Sequence, residues 1–289
     1  MLKRLYYTKT QMLVDGNNFI SHYLKTGKPL CAGKIGVTEL NLLYCNHTLE
    51  NASRFQPHLL HEVEDIAGLY PYNIETTKKF AKDMHNALSV VDLIPKWNKV
   101  NPLFEQYVFD TYCPKAYKTE LQHLEPYFFE KPWTDYLKGK TVLVLSPFNE
   151  SIEKNFSNLE KIWNGKIKPN FKLKTIKYPF ALKINPTAQL MWSTSDDIYK
   201  EHLELIREYE FDVCITGTGY TSLLFAAEAK RMGKVGIHLG GSTQILFGIK
   251  GQRWREIKEF QPFFNEHWTD PMDIEKPEKR SIVEGGCYW

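Results

Sequence analysis

Four short clusters combine glycine with hydroxyl or charged residues at the ends of apolar runs. They are Gly36-Val37-Thr38-Glu39, Ser146-Pro147-Phe148-Asn149-Glu150-Ser151, Thr216-Gly217-Thr218-Gly219-Tyr220 and His238-Leu239-Gly240-Gly241-Ser242-Thr243. Glycine lets the main chain approach a ligand closely, and a helix starting after such a turn offers free N–H groups to a phosphate. Gly217-Thr218-Gly219-Tyr220-Thr221-Ser222 holds only the first two glycines of the dinucleotide-binding pattern. Ser222 stands where the third belongs, which disfavours an NAD site. Each turn taken singly also serves as a plain strand-to-helix connection, and each hydroxyl as a helix cap. The stronger signal is that all four clusters follow predicted strands.

Lys34, Lys250 and Arg253 are the cations placed to neutralise a diphosphate. Arg253 offers a planar fork of donors and a lysine a mobile point charge. Glu39, Asp92 and Glu150 follow or sit in predicted buried strands, where an unpaired carboxylate is costly. Glu39 suits two tasks: holding a divalent ion (Mn or Mg) together with ligand phosphates, or taking a proton from an attacking hydroxyl. It also suits the first turn of its own helix, as Glu150 does. Asp92 is a weaker metal candidate, and His238 reads either as a base or as a packed, hydrogen-bonded histidine. Trp97, Trp133, Tyr220 and Trp254 are the aromatics that could stack on a base or sugar, although most of the 7 Trp and 16 Tyr belong to the core.

These residues need a scaffold. Apolar runs predict strands at Leu30–Ile35, Val90–Ile94, Thr141–Ser146, Lys174–Tyr178, Phe211–Ile215 and Val235–Leu239. Helical spacing covers Val37–Leu49, 57–69, 74–88, Ser151–Trp163, Asp196–Tyr209 and Ser222–Met232. The aromatic, proline-containing stretch 96–138 has no readable elements. Strands alternating with helices imply an α/β, Rossmann-like, doubly wound and mainly parallel sheet, with a helical elaboration in the N-terminal half. In such sheets ligands bind beyond the carboxyl ends of strands near a switch in strand order, which would bring the four clusters together.

The bulk composition sets limits. The 289 residues can bury a large core, and 43% hydrophobic with 25% charged residues is ordinary globular composition. The net charge of +3 is too small for a nucleic-acid stripe, so no nucleic-acid partner is expected. The 5 cysteines are widely spaced without a C-x-x-C pair, which suggests neither a zinc cage nor a disulfide framework and favours a reducing cytoplasm. No secretory leader or membrane-spanning run is read, which leaves peripheral contact with a membrane-borne substrate open.

Together, Ala32–Glu39, Val144–Ile152 and His238–Trp254 resemble the GT-D-like glycosyltransferases, bacterial surface-polysaccharide type. Asn265-Glu266-His267-Trp268 and Val283–Trp289 are similar to the same group, so the resemblance spans roughly residues 30 to 289. It implies a single glycosyltransferase domain over 1–289. Its donor would be a UDP- or GDP-type nucleotide sugar, and its acceptor a hydroxyl of a carbohydrate or glycolipid. For such a transfer the strand-end clusters and nearby cations are assigned the nucleotide-sugar contacts, namely Lys34, Gly36, Thr38, Ser146, Pro147, Asn149, Glu150, Gly217, Thr218, Gly219, Tyr220, His238, Gly240, Gly241, Ser242, Lys250 and Arg253, with Glu39 catalytic. Members of this group carry a Phe-Gly-Asp-Gly-Glu turn whose acids bind a divalent metal. Ile35-Gly36-Val37-Thr38-Glu39 aligns with it, and Val37 replaces the Asp, leaving Glu39 as base or as lone metal ligand. Two alternatives stay open: another Rossmann-type transferase, such as a methyltransferase using Gly217-Thr218-Gly219, and a non-catalytic nucleotide- or glycan-binding relative.

Overall fold

The computed structural model describes residues 13–48, 59–97 and 101–289. Strands β1 (Leu30–Ala32), β2 (Leu93–Lys96), β3 (Tyr117–Glu120), β4 (Thr141–Ser146), β5 (Lys172–Lys177), β6 (Val213–Thr216) and β7 (Val235–His238) form one sheet. Its order is β3-β2-β1-β7-β6-β4-β5, and every pairing is parallel. The helices are α1 (Gly16–Thr26), α2 (Val37–Thr48), α3 (Ile74–Leu88), α4 (Pro102–Tyr112), α5 (Asn149–Phe156), α6 (Leu159–Ile162), α7 (Pro186–Gln189), α8 (Ser195–Glu208), α9 (Ser222–Arg231), α10 (Ser242–Leu246) and α11 (Gln252–Glu256). This is a Rossmann-like α/β fold.

Both faces of the sheet are covered, so its strands read as continuous apolar runs rather than as alternating ones. Leu30, Ala32, Val142, Val144, Val213, Ile215, Val235 and Ile237 face one core, which also takes residues of α1, α5, α6 and α10 and the aromatic C-terminal segment. The intervening residues face the other side. Cys31 pairs with Gly236, and Gly236 with Cys214, so these three form a row across β1, β7 and β6. On that side α2, α3 and α9 pack together, with α8 beside them. All five cysteines are free thiols and buried.

Local chemistry sets the helix ends. Asp15 caps α1 by accepting from the Asn18 amide at 3.0 Å, and Gly27 closes it in the left-handed region. Reciprocal side-chain and main-chain bonds cap α3 at Asn73–Thr76 and α8 at Thr194–Asp197.

Several elements differ from the sequence expectation. β2 begins at Leu93 because the Val90 and Val91 amides close the end of α3, bonding to the Ala87 and Leu88 carbonyls. The helix expected over Ser151–Trp163 is broken at Ser157 and Asn158, small polar residues that compete for main-chain hydrogen bonds. Of the expected 57–69 helix, residues 57 and 58 lie outside the described residues; Glu62–Ala67 forms a π-helical turn stopped by Gly68. Leu49, the expected end of α2, is also outside them. Stretch 96–138 holds α4, β3 and three short 3₁₀ turns. Among the described residues no helix is long and apolar enough to cross a membrane.

The chain builds β1, β2 and β3 outward in one direction, crosses to the far half, and returns inward through β6 to β7 beside β1. The boundary between β1 and β7 is therefore the switch point, and the carboxyl ends of β1, β7, β6 and β4 surround it.

Candidate functional site

A cleft of about 390 Å³ opens at those strand ends. Lys34, Gly36, Val37, Thr38 and Glu39 enter it after β1, and Ser146 and Pro147 after β4. Gly217 and Gly219 enter after β6, His238, Gly240 and Gly241 after β7, and Arg253 from α11. All four sequence clusters thus contribute to one cavity. The turns are interlocked: a Cβ on Gly217 would lie 2.7 Å from the Gly240 carbonyl oxygen and 2.8 Å from Thr243 Oγ1. Only glycine lets the β6 and β7 turns meet at this distance.

Lys34 carries the central charge. Burial pushes its pKa down, the Glu125 and Glu39 carboxylates push it back up, and Arg253 lowers it further. Its ammonium lies 5.3 Å from the centroid of the Trp97 ring, a cation–π contact. Burial raises the pKa of Glu39, against a hydrogen bond from its own main-chain amide and the attraction of Lys34. The Glu39 carboxylate folds back over Gly36, in the pose of a first-turn cap. It therefore lines the cleft and serves its helix at the same time. His238 is held neutral: burial and the Lys34 ammonium push its pKa down to about 3, with a main-chain contact to Lys34 weakly opposing. So low a proton affinity makes it a poor general base near neutrality, and its imidazole acts there as a neutral hydrogen-bonding group.

Arg253 is ion-paired with Glu284, and its guanidinium lies 4.9 Å from the Tyr288 ring centroid and 5.8 Å from that of Trp254. Glu284 and Tyr288 both line the cleft, so residues 283–289 form part of its wall. Main-chain bonds hold them: the Arg253 amide donates to the Cys287 carbonyl at 3.0 Å and the Gln252 amide to that of Trp289 at 3.3 Å.

Other expected residues sit elsewhere. Thr218 and Tyr220 line a small adjoining cavity, where the Tyr220 hydroxyl donates to Ser195 Oγ at 3.1 Å. Ser222, in the third-glycine position, accepts from the Thr218 amide at 2.7 Å and so stabilises the turn. Among the described residues, Asn149, Glu150, Ser242 and Lys250 do not line the cleft. Asn149 and Glu150 open α5, and Glu150 pairs with Lys177 at 3.3 Å. Ser242 Oγ donates to Glu125. Lys250 is fixed through its amide, which bonds the Thr269 carbonyl at 2.7 Å. Asp92 lies at the amino end of the sheet, bound to Lys230 Nζ at 2.6 Å and to the Cys31 amide at 2.9 Å, so it is scaffold rather than a metal ligand of the cleft. Trp133 and Trp254 are core residues, buried to 0% and 4% exposure.

Sequence reasoning missed Glu125, Gln244, Glu284 and Tyr288 as members of this neighbourhood, and the wall formed by Ile66, Ala67 and Phe180. Glu125 lies in the unreadable 96–138 stretch, and nothing local marks it. The similarity of Val283–Trp289 to the resembled group was the one signal for the C-terminal wall. Among the described residues no three His, Cys, Asp or Glu side chains come together as a metal site. With Glu284 engaged by Arg253, a divalent ion here would rest on Glu39 and on the phosphates of its ligand. No protein-family model, curated protein or solved structure matches the chain.

Proposed function

We propose that the cleft binds a nucleoside diphosphate sugar and transfers the sugar to a hydroxyl of a carbohydrate or glycolipid acceptor. The observation that carries this reading is the convergence of Lys34, Arg253 and Glu39 on one cleft at the switch point of a parallel sheet. The resemblance of residues 30 to 289 to GT-D-like glycosyltransferases supports it independently of the geometry.

In this reading Lys34, Arg253 and the main-chain amides of the glycine turns stabilise charge on the departing diphosphate. The acceptor oxygen bonds to the anomeric carbon as the bond from that carbon to the diphosphate breaks, and the electron pair leaves with the diphosphate. The acceptor proton passes to Glu39, whose raised pKa brings it nearer the range a general base needs. A Mn or Mg ion held by Glu39 and the donor phosphates would add positive charge at the leaving group. Neutral His238 contributes a hydrogen bond without competing for the proton.

A ligand that binds only the folded protein must raise its melting temperature. A panel of UDP- and GDP-sugars at millimolar concentration should therefore contain at least one that does so, and Glu39→Gln should abolish transfer while keeping that binding. No shift and no hydrolysis across the panel would refute the reading. Val37 in the place of an Asp, together with the capping pose of Glu39, favours a second reading as a binding protein without turnover. Binding of a nucleotide sugar with no product from any acceptor would select it.

A further inference from the structure

A small side pocket adjoins the cleft, and Ile66, Ala67, Pro147, Phe180, Gly217 and Gly219 line both. The charged residues stay out of it: Lys34, Glu39, Arg253 and Glu284 line the cleft alone. Its further walls include Tyr178, Ala181 and Leu182 from the loop after β5, with Gly68 and Ile198. Several of these residues present surface to a ligand. Ile66, Pro147, Phe180 and Ala181 are half-buried, and Gly219 is exposed. The pocket measures about 50 Å³, against roughly 10–15 Å³ for one water-sized group. It therefore takes about four such groups, which suits an acetamido or methyl substituent and is too small for a nucleobase or a whole sugar ring.

The hydroxyls on its walls are already matched. Ser195 Oγ accepts from the Tyr70 amide at 3.0 Å and from the Tyr220 hydroxyl at 3.1 Å, and donates to the Tyr70 carbonyl at 3.1 Å. Thr218 Oγ1 lies 3.2 Å from Ser222 Oγ and 3.0 Å from Thr221 Oγ1. A ligand hydroxyl placed here would lose water without gaining a partner among these groups, whereas a methyl group gains by leaving water.

We infer that the side pocket is a specificity subsite for a methyl-bearing substituent of the donor sugar, a 2-acetamido group or the methyl of a 6-deoxy sugar. This rests on the reading of the cleft as a nucleotide-sugar site. The diphosphate belongs with Lys34 and Arg253, which the pocket lacks, and the nucleobase exceeds its volume. The sugar is the part of the donor that remains. An acetamido group would place its methyl inside and keep its N–H and C=O towards the cleft. Lys34 and Arg253 recognise charge common to all such donors, whereas the pocket distinguishes among their sugars. Ala181 offers a way to close it: a Cβ built on Gly68 would lie 4.0 Å from Ala181 Cβ, so a larger side chain at Ala181 occupies the space between these walls.

The test is calorimetric titration of wild type, without acceptor, with matched donors. Each set holds a hexose, its 2-acetamido form and its 6-deoxy form, on UDP and on GDP, in the gluco, galacto and manno series. In at least one set a methyl-bearing donor should bind more tightly than its parent by about tenfold or more, the worth of a filled apolar pocket. An advantage of the 2-acetamido form alone assigns the pocket to C2, of the 6-deoxy form alone to C6, and of both to either methyl. Ala181→Leu should then bring the favoured donor to within about twofold of its parent. No advantage in any set, or an advantage that survives Ala181→Leu, overturns the inference. If Ala181→Leu melts early or binds no donor, the milder Ala181→Val replaces it, and there the advantage must shrink by about threefold or more. The wild-type comparison decides alone should neither variant fold. Inorganic pyrophosphate, titrated alongside, separates the two readings. Pyrophosphate binding without any nucleotide sugar binding would overturn the donor reading and this inference together. Parent and substituted donors that bind alike overturn the inference alone.

Discussion

Arg253 and Glu284 form an ion pair at the edge of the cleft, so the one arginine that lines it among the described residues already holds an anion of the protein's own. A phosphate reaching Arg253 must displace that carboxylate. Glu284→Gln is therefore expected to bind pyrophosphate more tightly, by about three- to tenfold, since a partly exposed pair is worth roughly a kcal/mol. Arg253→Gln is expected to weaken binding. Calorimetry at low and high salt checks both; a Glu284→Gln protein that binds pyrophosphate more weakly would mean the carboxylate helps to hold the ligand.

His238 makes stability depend on pH in a defined direction. Its folded pKa of about 3 lies below the ordinary value of 6.5, so between these values the unfolded chain binds more protons than the native one. Stability contributed by the neutral imidazole is present above pH 6.5 and is lost as pH falls through that window. The slope from this one group reaches at most about 1.4 kcal/mol per pH unit. Urea unfolding of wild type and His238→Asn from pH 7 to pH 4 should show a steeper decline for wild type. Parallel profiles would place the proton elsewhere.

Much of the scaffold was legible because burial on both faces leaves a plain mark. Thr141-Val-Leu-Val-Leu-Ser146 could hardly be anything but a central strand, and β4 occupies those residues. The four strand-end clusters were read correctly as neighbours, because a parallel sheet puts every strand-to-helix turn on one edge. The edge strand β3 was invisible for the opposite reason. Tyr117-Lys118-Thr119-Glu120 is polar, yet Lys118 is buried, its ammonium donating to the Cys113 and Ala116 carbonyls at 3.2 Å and lying 4.9 Å from the Phe109 ring centroid. Pattern cannot reveal a lysine whose partners come from the end of a preceding helix and a turn. Glu125 was illegible for a similar reason, since its hydroxyl partner Ser242 is 117 residues away. Of the placements that failed, Asn149, Glu150 and Ser242 were judged by closeness in sequence to a true strand end, and Lys250 by its charge. Glu150 pairs instead with Lys177 of β5, and Lys250 is held at its amide.

Gly236, in the middle of β7, is where α9 comes down on the sheet. A Cβ there would sit 2.0 Å from the Ala226 carbonyl oxygen, with the Ala226 backbone carbon at 2.6 Å. Neither atom can swing aside as a flexible side chain would. Gly236→Ala should force α9 off the sheet and destabilise the protein by about 3 kcal/mol or more, the upper range for overpacking. Because α9 follows directly on the Gly217–Thr221 turn, pyrophosphate affinity should fall as well. Thermal unfolding and calorimetry measure the two effects; a variant with wild-type melting would show that the helix has room to shift.

Asp92 provides the contrasting case, a buried-strand acid that acts on the fold and not on the cleft. One carboxylate oxygen accepts from the Cys31 amide at 2.9 Å and the other from Lys230 Nζ at 2.6 Å, joining β1, β2 and the end of α9 at the amino edge of the sheet. In Asp92→Ala the Cys31 amide loses its acceptor in a fully buried strand, while Lys230 keeps a bond of 2.7 Å to the Val90 carbonyl. Leaving one buried donor unpaired is expected to cost about 1–3 kcal/mol. That should appear as a lower urea midpoint at an unchanged slope. Pyrophosphate should still bind within about twofold of wild type, since the cleft lies at the other end of the strands and its cations are untouched. A selective loss of pyrophosphate binding, with stability intact, would return Asp92 to the functional site and refute its assignment to the scaffold.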